Sequence, residues 1–290
     1  MSQPAASLRG RAAGLAQPLP PLLAEAEHLA GGVLLGEHGR RRPGLGDAFW
    51  QYRPAMQGDT ARAIDWRRSA RSDQHFVQEK EWQAAQSVVF WVDRAASMHF
   101  ASQGHPEKAD RAALLALSLS VLLVRGGERI GLTDMANPPA SGTLQLERVA
   151  RHLETQSSAD YGAPDTTMLP AHSRAVFLSD FMGDLAPLET ALTTAADRGV
   201  KGALVHILDP IEEAFPFDGR VVFESMGGTL QHETRRAGDL RARYLDRLAR
   251  RKAALEALTR TTGWRYHCHH TGTPAASALL WLYHAMERQR

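Results

Sequence analysis

The chain has 290 residues, with 34 basic and 32 acidic side chains and a net charge of +2. That near-balance excludes a general electrostatic footprint for nucleic acid, and the single cysteine, Cys268, excludes an intrachain disulfide. An apolar fraction of 43% and a charged fraction of 23% are ordinary for a globular protein, and the length suits one large α/β domain with an extension.

Residues 1–30 read as a mobile tail rich in Ala, Gly, Pro and Arg, with a short helix near 19–29 where Pro20 and Pro21 stand at a helix start. No apolar stretch of signal-peptide type is present there. Residues 31–85 read as an N-terminal β extension. Glycines dominate 31–46, which predicts an irregular loop. A strand is predicted at 48–53 and another at 75–82. Between them, 57–59 carry turn chemistry, and Asp59 or Thr60 could cap a helical turn leading to Trp66. Ile64 and Trp66 are expected to be buried, and Asp65 to pair with an arginine fork.

Residues 86–290 read as the main α/β domain. Residues 88–92 are all β-branched or aromatic, which predicts a strand buried on both faces at the centre of a parallel sheet. It ends on Asp93, with Ser97 four residues on. A helix follows at 107–125, closed by Gly126 and Gly127. Its core, 112–124, is the longest nearly apolar run. It is too short to span a bilayer and is interrupted by Ser118 and Ser120, so the expectation is a cytoplasmic protein without a membrane span. A short strand at 129–134 precedes an amphipathic helix at 144–156, with Leu146, Val149, Ala150 and Leu153 on one face.

After a polar loop at 157–170, the strand 174–181 again ends on an aspartate, Asp180. Helix 185–198 closes at Gly199, and strand 201–209 ends on Asp209-Pro210. A hairpin insertion near 212–235 is expected, with strands near 220–224 and 228–232 around Gly227. Helix 240–261, strand 264–269 and helix 275–288 complete the chain. This alternation calls for a doubly wound, mostly parallel sheet with helices on both faces.

Ligand sites in such sheets lie at the carboxyl ends of strands. Asp93 and Ser97 offer hard oxygen ligands of the kind Mg²⁺ takes. Arg94 brings a competing positive charge and could pair with Asp180. Alternatively, Asp93 caps the turn and pairs with an arginine. The run His267-Cys268-His269-His270 alternates across a strand, so its four side chains cannot converge on one metal; a strand end with exposed histidines is expected. Asp209-Pro210-Ile211-Glu212-Glu213 could contact a basic partner but reads rather as a turn leaving the sheet. Neither a phosphate-binding loop nor a nucleophile elbow is present.

The pattern Gly58-Asp59-x-x-Arg62-x-Ile64-Asp65-Trp66-x-x-x-Ala70-Arg71, preceded by Tyr52-Arg53, resembles the signature of the domain of unknown function 58 family. The resemblance runs from about residue 30 to the C-terminus and implies a von Willebrand factor A-like fold behind an N-terminal β extension. It also implies an ion site in which Asp93 and Ser97 hold the first and last positions of Asp-x-Ser-x-Ser, Asp180 supplies the third-loop aspartate, and Thr166 or Thr167 the threonine. Ala95 stands where the first serine belongs, so the site is degenerate, and Mg²⁺ or Mn²⁺ is expected to bind weakly or not at all.

Members often accompany AAA ATPases of the MoxR type. The resemblance therefore implies a non-enzymatic adaptor or protein-interaction role in chaperone-like or metal-insertion assembly. Binding would use a rim of residues 93–99, 157–170 and 180–184. The alternative is a divalent-metal-dependent binder or enzyme using Asp93, Ser97 and Asp180. A weaker third reading is nucleic-acid binding through the arginine-rich stretch 241–252, whose alternating charges point instead to a solvated face. The signature residues Arg53, Asp59, Arg62, Asp65, Trp66 and Arg71 read either as an internal clamp or as arginines presented to a partner.

Overall fold

The computed structural model describes residues 21–37, 49–56, 64–71, 74–80, 85–155, 157–228 and 231–286. They fall into two compact units: His38–Ala85 forms one, and the chain on either side of it forms the other. Helix α1 (Pro21–Glu37) belongs to the larger unit and runs across the boundary expected at 30. Leu23, Ala26, Ala30 and Val33 recur at helical spacing and are all buried in its core. That stripe is why this segment is neither tail nor β extension.

In the smaller unit, β1 (Phe49–Pro54) pairs antiparallel with β2 (Phe76–Lys80). Between them stands a single helical turn, α2 (Trp66–Ser69). Asp65 is its N-cap, accepting from the amides of Arg67 at 3.0 Å and Arg68 at 3.1 Å. Asp65 N–H donates to Phe76 O at 2.9 Å, and Ser69 Oγ links Asp65 O to the Phe76 amide. The turn is thereby fastened onto β2.

The larger unit is built on a five-stranded sheet of β3 (Ser87–Val92), β4 (Arg129–Leu132), β5 (Arg174–Ser179), β6 (Lys201–Leu208) and β9 (Arg265–His270). Their order is β4-β3-β5-β6-β9, every adjacent pair parallel. The helices are α3 (Lys108–Arg125), α4 (Thr143–Leu153), α5 (Ala186–Asp197), α6 (Pro210–Ala214), α7 (Gly238–Thr262) and α8 (Ala275–Met286). A hairpin of β7 (Val221–Glu224) and β8 (Gln231–Thr234) leaves the sheet where an insertion is expected.

Alternation along each strand feeds two cores. Val88, Phe90, Val92, Val176 and Leu178 pack under α1, α3, α4 and α8. Val89, Trp91, Phe177 and Leu204 pack under α5 and α7. Strand β3 is buried as its composition predicts, but it is not central: β5 is the middle strand, because α4 carries the chain back across β3 before the sheet continues.

Candidate functional site

Strand order reverses between β3 and β5. The chain runs outward from β3 to β4, then returns to place β5 on the other side of β3. Such a switch point opens a crevice at the carboxyl ends of the two strands. Asp93 follows β3, Asp180 follows β5, and both are buried.

The Asp93 carboxylate is held from three directions. Its Oδ1 accepts the Ala95 amide at 2.9 Å, and its Oδ2 accepts the Ser179 hydroxyl at 2.7 Å. Gly162 N–H also donates to it. A Cβ on Gly162 would overlap this carboxylate, so only glycine permits the approach. Burial is the largest influence on Asp93 and raises its pKa, against the hydrogen bonds from Ser179 and Ala95. The turn-capping role expected for Asp93 is present. Among the described residues no arginine pairs with it.

Asp180 has a different partner from the one expected. Lys108, the first residue of α3, is buried, with Nζ 2.9 Å from Asp180 Oδ2 and 2.6 Å from Glu212 Oε1. The Phe100 ring lies 5.7 Å from the ammonium. Burial alone would lower the Lys108 pKa, but the two carboxylates outweigh it and raise it. Arg94, expected near Asp180, points away: it pairs with Asp134 and donates to His152 O at 2.6 Å. Phe181, directly after Asp180, has φ 46°, a left-handed conformation uncommon for a bulky residue. Its amide donates to Ser179 Oγ at 2.9 Å, so one serine hydroxyl fixes Asp93 and this turn together.

Glu212 belongs to a capping box at the start of α6, where Asp209 accepts the Ile211 amide at 2.9 Å and Glu212 Oε2 accepts the Asp209 amide at 2.8 Å. The acidic run read as a turn is therefore a short helix. Burial raises the Glu212 pKa, with Lys108 opposing.

Ser97 lies in a 3₁₀ turn (Ala96–His99) stitched to the following loop: Ala96 N–H donates to Ala159 O at 2.8 Å and Ser97 N–H to Asp160 O at 3.0 Å. Its Oγ is buried without a hydrogen-bond partner among the described residues. Thr166 and Thr167 are not brought here. Their carbonyls accept from Arg198, at 3.1 and 3.2 Å, at the residue that closes α5 and leads back to the start of β6. The loop 157–170 thus reaches the rim only in its first part, where Tyr161 and Gly162 join Asp93, Asp180, Asp184 and Leu188 around a small cleft.

Mg²⁺ takes oxygen ligands in near-octahedral geometry. Ala95 supplies no side-chain oxygen, both Asp93 oxygens already accept protein donors, and an ammonium lies on Asp180. The donor set does not fit a resident divalent cation. Among the described residues no group of three or more His, Cys, Asp or Glu side chains is placed to hold a metal. This includes the histidine run of β9. His267 and His269 do share a face, but His269 is buried rather than exposed, receiving Arg111 Nη1 at 2.9 Å, while His267 stacks on Trp281.

Of the signature residues, Asp59 and Arg62 and the side chain of Arg53 lie outside the described residues. Arg71 is exposed at the end of the α2 turn. Trp66, expected inside, is 57% exposed and meets His75 edge-on at 5.5 Å. Asp65 caps the α2 turn through its Oδ1. Arg68 lies 5.5 Å from the Phe76 ring.

Lys108 and Glu212 were not singled out by sequence, although each left a signal. A lysine opening a helix opposes the helix dipole, and Asp209-x-x-Glu212 is a capping-box pattern.

The fold and site define a parallel α/β protein whose switch-point carboxylates are hydrogen-bonded from within the chain, two of them to one lysine. It belongs to the family described as protein of unknown function DUF58, whose model matches residues 51–254. Uncharacterized proteins of Mycobacterium tuberculosis and Mycobacterium bovis are each 30% identical over 210 residues, a match covering 67% of this chain. The chain spans 65% of the length of those relatives. A solved structure, conserved hypothetical protein BatB from Bacteroides thetaiotaomicron, is 13% identical with a TM-score of 0.39, covering 70% of this chain and 98% of that one. Among the described residues no helix is long and apolar enough to cross a membrane.

Proposed function

We propose that this chain is a non-enzymatic protein-interaction module of the von Willebrand factor A type that works as an adaptor for an AAA ATPase of the MoxR type. The fold assignment is supported by the switch point between β3 and β5 with an aspartate after each strand. The functional reading is carried by one observation: the ionisable groups at the strand ends are consumed by internal partners, while apolar side chains stand exposed beside them. Tyr161 is 41% exposed and Met226 50% exposed. Their loops meet, since a Cβ on Gly227 would overlap Asp160. Aromatic and methionine side chains on a rigid, hydrogen-bonded support are the composition of a protein-binding surface.

Affinity capture with the full chain, in ATP, in ADP and without nucleotide, tests the reading. Recovery of a MoxR-type ATPase that Tyr161→Asp and Met226→Asp reduce, with unchanged melting temperatures, supports it. Absence of any ATPase under all three conditions removes the adaptor role.

A further inference from the structure

We propose that Lys108 is the resident cation of the switch-point site: its ammonium holds the place between Asp180 and Glu212 that a divalent ion would need. Three carboxylates, those of Asp93, Asp180 and Glu212, stand beyond the ends of β3, β5 and β6. Each of their oxygens has a protein donor. Asp93 receives Ala95 N–H and Ser179 O–H. Asp180 receives Met182 N–H on Oδ1 at 3.1 Å and Lys108 on Oδ2. Glu212 receives Lys108 on Oε1 and the Asp209 amide on Oε2. A metal ion would compete with the Lys108 ammonium at both Asp180 and Glu212.

Lys108 is not placed there by helix energetics, since a cation in a first turn is disfavoured. Nor is it a snorkelling surface lysine, since only 1% of its side chain is exposed. The ammonium is bound by two carboxylates from segments distant in sequence, 72 and 104 residues away. A lysine buried in that way is tolerated when paired and hydrogen-bonded. With an ammonium in this place, the oxygen that Ala95 lacks is not needed: no coordination sphere has to be completed.

The test is metal titration of the full chain. Calorimetry and thermal melts with Mg²⁺ and Mn²⁺ alone are expected to show no saturable binding to the natural protein. Lys108→Ala, which leaves Asp180 and Glu212 without a cation, is expected to melt lower and to be raised saturably by Mn²⁺. Adding Asp180→Asn to that variant is expected to abolish the rise. Saturable micromolar Mn²⁺ binding by the natural protein overturns the proposal. So does a Lys108→Ala variant that melts like the natural protein, or one that melts lower and does not respond to Mn²⁺. Should Lys108→Ala fail to fold, the charge-free triple Lys108→Met, Asp180→Asn, Glu212→Gln reads the pairing instead: recovery of a cooperative melt supports it, and a triple that also fails to fold overturns it.

Discussion

Ser179 Oγ lies 2.7 Å from Asp93 Oδ2 and accepts the Phe181 amide at 2.9 Å, so a single hydroxyl ties the end of β3 to the turn after β5. Both bonds are buried. Ser179→Ala removes both and leaves a buried carboxylate oxygen and a buried amide unpaired. The expected loss is about 2–4 kcal/mol, the sum of two such unsatisfied groups. The midpoint of urea unfolding checks this, and a variant within experimental error of the natural protein would show that the bridge contributes nothing.

Gly162 lies against the same carboxylate. Gly162→Ala forces the rim loop away from Asp93 and is expected to cost roughly 1–3 kcal/mol through overpacking. The clash is with one side chain, so the effect should shrink in an Asp93→Ala background. A double-mutant cycle in denaturant measures this coupling. Strict additivity would contradict it.

Stability should fall in mild acid, in part through His206. Burial pushes its pKa down from 6.5 to about 3, and its Nδ1 lies 2.8 Å from the Tyr266 hydroxyl. The folded state therefore keeps this ring neutral while the unfolded chain takes up a proton. The contribution is complete above pH 6.5 and is lost progressively as pH falls toward 3. By about pH 5 the loss amounts to at most ~2 kcal/mol. Asp93 and Glu212, raised by burial, act in the opposite sense just above the ordinary carboxylate range. The comparison with His206→Gln isolates the histidine: its stability should depend less steeply on pH between about 7 and 5. An identical slope would rule the histidine out.

Trp66 and Phe90 should respond very differently to truncation. Phe90 is fully buried under α3, and Phe90→Ala is expected to cost about 3–5 kcal/mol. Trp66→Ala, at an exposed position, is expected to cost less than about 1 kcal/mol. A Trp66→Ala loss as large as that of Phe90→Ala in the same unfolding assay would place this tryptophan inside a packed core.

Much of the fold was readable from local pattern. The all-apolar run 88–92, the helix opening at Lys108 and the strand ending on Asp180 follow from hydrophobic period and glycine stops, which are properties of neighbouring residues. The sheet order was not readable, because nothing in β3 says that α4 will carry the chain back past it. The site was half legible for the same reason. Strand-end aspartates are visible in sequence, but their partners come from the first turn of α3 and from α6. Trp66 misled because a large aromatic residue near an isoleucine suggests a core, whereas here it opens a short exposed helical turn. Thr166 misled because loop membership says nothing about which end of the sheet a residue reaches.

The Lys108 cluster also has a consequence in time. Its two ion pairs close over 72 and 104 residues of chain, so the first cannot form before β5, nor the second before α6, has been made and docked. During synthesis the first turn of α3 leaves the ribosome with a charged side chain that can only remain hydrated. Its burial is then a late, non-local event, of the kind that slows folding, and the hydrogen-exchange protection of the Asp93 amide, bonded to Leu178 O at 2.9 Å, reports when the two halves of the sheet have joined.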